Sequence, residues 1–184
     1  MHWLLASVLV VRIYNYAGLP ASDLAAAEAV AKSIFENAAI STEWTVCRVH
    51  GSTEGARCEN PLGDDEIIIR LIESSAEVRK GPISLGQSLV ETGSSRGVLA
   101  TVDPRLTRQI AEQSEVDAST VLGRAMAHEM GHLLLASTGH SETGLMRALW
   151  SQAELRANRS ADWAFSVSER DKMRRRLEHA HTSN

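Results

Sequence analysis

Aromatic side chains are scarce in this chain, with four Trp, two Tyr and two Phe among 184 residues. A surface that binds single-stranded nucleic acid needs a platform of stacking rings, and so few rings do not make one. Lysine is scarcer still: three residues against 16 arginines, and the arginines are scattered rather than run together. With a formal net charge of −4, the chain lacks the basic stripe that duplex DNA or an anionic bilayer surface requires. Long apolar runs are missing too. The nearest approach, Trp3 to Val11, has nine residues without a charge, half of the roughly 18 that a membrane-spanning helix needs. No internal repeat, low-complexity segment or linker divides the chain, so residues 1–184 read as one domain.

What is there belongs to a folded globular protein, with 43% hydrophobic and 23% charged residues. Trp3 to Val11 has the length of a signal-peptide core, but no Lys or Arg precedes it and no small-x-small cleavage site follows closely. It merges into Val10 to Tyr16, β-branched and aromatic with alternation from Val11, which reads as a first β-strand; a leader over residues 1–11 is the alternative. Cys47 and Cys58 stand eleven apart with Gly51 and Gly55 between them. A flexible loop of that length can close as a disulfide, stabilising by about 3 kcal/mol through the unfolded chain. The expected pair points weakly to an extracytoplasmic setting, periplasmic or secreted, with two free thiols in the cytoplasm as the alternative.

Strand and helix signals alternate. Leu24, Ala27, Ala31, Ile34 and Phe35 repeat at helical spacing up to about Asn37. Ile40 to Cys47 reads as a second strand with Thr42, Trp44 and Val46 on one face, and Glu66 to Ile72 as a central strand covered on both sides. Ile83 to Glu91 and Val98 to Val102 read as two more strands joined by a turn over 92–97. Asp103-Pro104 opens a short helix, Asp117 opens a long one to about Ala136, and Ser166-Val167-Ser168-Glu169 starts the last with a capping box. The expected fold class is therefore α/β (α+β): a twisted mixed sheet of about five strands with three or four helices. The division is 1–136 for the sheet and its helices, and 137–184 for a smaller C-terminal part.

The long helix carries His128-Glu129-Met130-Gly131-His132. Histidines four apart project from one helix face, one turn above the other. Two imidazole nitrogens placed so can share one zinc ion at about 2.0–2.1 Å. Glu129, beside the first ligand, is placed to take a proton from a water that the ion polarises without itself being a ligand. Composition alone supplies the bare pattern in roughly 2% of such chains, so its place in an independently expected apolar helix matters. The third ligand is expected at His140, eight residues after His132, with Gly139 supplying a positive φ for the reversal.

From His128 to Met146 the sequence resembles the metzincin branch of zinc metallopeptidases, whose motif is HExxHxxGxxH followed by a Met-turn. Gly144-Leu145-Met146 resembles that turn, and the resemblance implies that Met146 forms a hydrophobic floor beneath the metal. The family glycine falls at Leu135 here and the third histidine comes two residues late. The stretch is also similar to a group of bacterial peptidase-like proteins of unassigned substrate. The resemblance implies a metzincin-like fold, one catalytic zinc, and a metalloendopeptidase that hydrolyses peptide or protein substrates by Glu129-assisted attack of water. Two alternatives stay open. Glu154, 22 residues after His132, offers a thermolysin-like third ligand, and a non-catalytic zinc module that holds the C-terminal part in place is the other.

Overall fold

In a computed structural model the described residues are 8–47, 56–74, 86–90 and 97–182. The elements run β1 (Val8–Asn15), α1 (Ala21–Asn37), β2 (Ser41–Cys47), α2 (Ala56–Glu59), β3 (Glu66–Leu71), β4 (Gly86–Leu89), β5 (Leu99–Val102), α3 (Pro104–Ser114), α4 (Ala118–Leu135), α5 (Gln152–Ala157) and α6 (Val167–Thr182). The five strands form one mixed sheet in the order β2-β1-β3-β5-β4. β1 lies parallel between β2 and β3, β3 is parallel to β5, and only β4 runs antiparallel, against β5. The α/β architecture expected from the alternating signals is present. Residues 1–7 of the possible leader, most of the inter-cysteine loop and most of the 92–97 turn lie outside the described residues, and Val8 to Val11 belong to β1.

The core forms where the apolar periodicities meet. Leu9, Val11 and Ile13 of β1 and Ile67, Ile69 and Leu71 of β3 are buried, against Leu24, Ala27, Ala31 and Phe35 of α1. α4 passes through this layer so deeply that every residue from Val121 to Leu135 is buried. Small residues make that possible: a Cβ on Gly123 would stand 2.4 Å from the Ala27 carbonyl oxygen and 2.7 Å from Val30 Cβ. Both neighbouring helix starts are capped as the sequence suggests. Asp103 accepts from the backbone N–H groups of Arg105 and Leu106, and Asp117 from that of Thr120.

Four features depart from the sequence reading. Val46 is 47% exposed rather than covered with Thr42; among the described residues β2 pairs with β1 alone, and the alternation breaks near its C-terminal end. The helices exceed three or four, because α2 and α5 are too short to show a period. Arg12, in the middle of the apolar β1, is buried and paired with Glu66 of β3, and it also donates to the carbonyls of Asn60 (2.8 Å) and Pro61 (3.2 Å). The left-handed residue that ends α4 is Ala136 (φ 47°), not Gly139. The helix stops there because Ala136 N–H bonds back to Leu133 and Ser137 N–H back to His132, a geometry that needs αL at the first residue past the helix.

Candidate metal centre and its cleft

α4 sets the His128 and His132 rings one turn apart, edge to face, with centroids 4.7 Å apart and their Nε2 atoms 3.0 Å apart. Each ring is oriented from behind. His128 Nδ1 lies 2.9 Å from the Leu145 carbonyl and His132 Nδ1 lies 2.7 Å from the Ser137 carbonyl. A carbonyl can only accept, so both Nδ1 atoms carry the hydrogen and both neutral rings present an Nε2 lone pair to the other. Two lone pairs facing each other at this distance repel unless a cation lies between them. Protonating a ring is opposed by burial, which pushes His128 down to about 4 and His132 downward as well. The spacing is close to the roughly 3.3 Å between neighbouring ligands of a tetrahedral zinc. The donor set therefore fits a divalent metal.

His140 joins the pair from the loop after α4. Its ring stacks on His128 at 5.4 Å and stands edge-on to His132 at 4.8 Å. One nitrogen from each of the three rings lies within 4.8 Å of the others. His128 and His132 are buried and His140 is exposed, so the cluster opens to solvent on one side. Glu154 stands apart from this cluster: its carboxylate accepts from Ser151 N–H (2.8 Å) and hydroxyl (2.7 Å), capping α5, and pairs with Arg147 at 3.2 Å.

Glu129 is buried beside the trio. Desolvation raises its carboxyl to about 7, against a hydrogen bond from Ser88 that lowers it. The Ser88 hydroxyl reaches the Glu129 carboxylate and lies 3.0 Å from the Glu129 carbonyl. Two residues along β4, Gly86 leaves no room for a side chain, since a Cβ there would stand 2.7 Å from both Cγ and Oε1 of Glu129. Neither Gly86 nor Ser88 was singled out by the sequence; their only signal was a place on a strand near the site.

The Gly144-Leu145-Met146 turn lies directly against α4. Gly144 adopts φ 77°, Leu145 donates its N–H to the Ala164 carbonyl at 2.9 Å, and Met146 is buried. A Cβ on Gly131, between the two helix histidines, would stand 2.6 Å from Met146 Sδ and 2.8 Å from Phe165. The same turn that packs Met146 there also supplies the carbonyl that orients His128.

No protein-family model and no curated protein matches this sequence. Solved structures do match in fold. The chain is similar over 93% of its length to metalloproteinase-II from Bacteroides fragilis, with TM-score 0.58 and 14% identity, and it spans 53% of that chain. It is similar over 89% of its length to a zinc-dependent peptidase from Methanocorpusculum labreanum, with TM-score 0.57 and 12% identity, covering 99% of that chain. The chain has a zinc-metallopeptidase-like fold.

In this fold the histidine cluster sits in the wall of a cavity of about 1080 Å³. Gly86 and Ser88 of β4 line it, together with Ile110, Ala125, Trp150 and Leu155. Trp150 stands edge-on to His128 (5.8 Å) and to Trp163 (5.2 Å). Trp163 is itself covered by the Arg124 guanidinium at 3.8 Å. Phe165 packs on Phe35 at 5.2 Å, so the residues after Met146 join the site to the core. Cys47 and Cys58 are disulfide-bonded. Among the described residues no helix is long and apolar enough to cross a membrane.

Proposed function

We propose that the protein is a zinc-dependent metalloendopeptidase in which His128, His132 and His140 hold one ion and Glu129 is the general base. The observation that carries this reading is the pair of neutral imidazoles presenting opposed lone pairs at 3.0 Å, with a third, exposed imidazole beside them in the lining of a cleft. When bound, zinc with three neutral ligands supplies a Lewis acid for the scissile carbonyl and lowers the pKa of water to about 7. Glu129 accepts the proton of the attacking water and returns it to the leaving amine. Its burial raises its affinity for a proton in the metal-free site, while Ser88 and Gly86 fix where the carboxylate stands.

Among the described residues β4 ends the sheet next to Glu129 and pairs with β5, an edge along which an extended peptide is able to add. Leu89 at the end of that strand is 67% exposed and offers an apolar contact to such a peptide. Commitment of Glu154 to the α5 cap and Arg147 supports His140 as third ligand over the thermolysin-like arrangement. The packing of Met146 under α4 supports the metzincin reading, and the names of the two structural neighbours support peptide hydrolysis. The disulfide supports an extracytoplasmic setting.

The test is Glu129→Gln on the full chain. The variant is expected to retain stoichiometric zinc by mass spectrometry and to cleave a peptide library at least about 100-fold more slowly than wild type. Turnover equal to wild type removes Glu129 as the base. Absence of zinc from the wild-type protein removes the whole reading.

A further inference from the structure

The three histidines are not equally well held. His128 and His132 are fixed on a buried helix and each is gripped through Nδ1 by a carbonyl. His140 is exposed, lies in a loop, and makes no hydrogen bond to any described residue. What fixes it is its neighbour. Ser141 donates its N–H to the Met146 carbonyl at 2.9 Å, closing a bridge with Arg147. Its hydroxyl donates to Glu169 Oε1 at 2.5 Å. Glu169 lies 28 residues further on, in the first turn of α6, where its other carboxylate oxygen accepts the Ser166 N–H at 2.7 Å.

We propose that Ser141 and Glu169 are positioning residues for the third metal ligand, tying the His140 loop to the N-terminal turn of α6. The inference rests on the zinc reading above. One carboxylate serves both as the reciprocal half of a helix cap and as the anchor of the ligand loop, so α6 gains a purpose beyond covering the core with Met173 and Leu177. A loop histidine without such an anchor must lose its conformational freedom when the metal binds, and that cost lowers affinity. Partners that orient metal ligands are commonly worth about 10–100-fold in affinity.

Ser141→Ala removes the tie and leaves the α6 cap intact, whereas Glu169→Ala removes both. The probe is Zn²⁺ alone, titrated into the metal-free full chain in competition with a chromogenic chelator, alongside the visible absorption of Co²⁺ in the same site. Ser141→Ala is expected to weaken Zn²⁺ binding about 10–100-fold and to reduce the intensity of the tetrahedral Co²⁺ bands, with Ser141→Thr restoring affinity to within about threefold. The metal-free melting temperature of Ser141→Ala is expected to stay near wild type, which separates loss of positioning from loss of fold. Wild-type affinity and an unchanged Co²⁺ spectrum in Ser141→Ala overturn the inference and leave the zinc reading standing. A wild-type chain that takes up neither ion overturns both.

Discussion

A methyl group at position 86 tests the site at the finest grain. It would stand 2.7 Å from Glu129 Cγ and Oε1, and the end of a carboxylate side chain moves more readily than a strand. Gly86→Ala therefore displaces the Glu129 carboxylate, the proposed base, rather than the backbone. Turnover is expected to fall about 10–100-fold for a shift of about 1 Å, with zinc content unchanged and a melting temperature close to wild type. Equal turnover means that Glu129 has room the structure does not show. Such a role was illegible beforehand, because a glycine in a strand carries no mark of what lies across from it, whereas His128, Glu129 and His132 announce themselves by helical spacing. His140 is legible as the next histidine after the pair, whereas residue type points to Gly139 for the left-handed turn that backbone bonding places on Ala136. A second residue shows how burial alone acts. Glu28 on α1 is half-buried with an unpartnered Oε1, and desolvation raises its carboxyl above 4.5. The folded chain then binds more protons than the unfolded one above pH 4.5, so stability is lost as pH rises through the raised value. Glu28→Gln is expected to be neutral near pH 4 and to stabilise by about 0.5 kcal/mol at pH 8, a small figure because half of the side chain stays in water. Denaturant melts at the two pH values check it, and a gain that is larger at pH 4 contradicts the sign.

At the scale of elements, packing between α1 and α4 decides where the histidines stand, because α4 is one continuous helix, buried from Val121 to Leu135, and α1 packs on its first half. Gly123→Ala forces a Cβ to within 2.4 Å of the Ala27 carbonyl oxygen, which is backbone and cannot step aside. The expected cost is about 2 kcal/mol of overpacking, or roughly 4–8 °C in melting temperature for a domain of this length, read by calorimetry. A melt unchanged from wild type means that the helices lie further apart than described. The elements that carry this contact were legible: α1, β3 and α4 are long or strongly apolar, and burial of one face leaves a period in the chain. What escaped lacked such a period. α2 and α5 have four and six residues, too few for one. The Arg12–Glu66 pair inside the sheet joins residues far apart in sequence, and nothing near either of them names its partner. The tie between Ser141 and Glu169 was hidden for the same reason, although Glu169 itself was legible as a cap.

For the whole molecule the question is whether the metal holds the chain together or the chain holds the metal. The core answers through its composition: Phe35, Ile13, Ile69, Met126 and Leu133 are fully buried, and they unite β1, β3, α1 and α4 without help from the histidine cluster. The disulfide fastens the end of β2 to α2 on the other side of the sheet order from β4, and its closed loop adds about 3 kcal/mol by constraining the unfolded chain. Chelation is therefore expected to leave far-UV circular dichroism and a single cooperative melt intact. Zinc at about 100 times its dissociation constant contributes about 2.7 kcal/mol to the folded state. Its removal is expected to lower the melting temperature by roughly 5–11 °C at this chain length, and readdition restores it. Hydrogen exchange should rise modestly in 137–147, where the Ser141–Glu169 tie persists but the metal no longer joins His140 to α4, and remain slow in α1 and the first half of α4. A purely structural zinc module behaves otherwise: with the metal gone, cooperativity collapses and exchange accelerates throughout. Loss of the cooperative melt on chelation, with the disulfide intact, is the result that would transfer the site from catalysis to architecture.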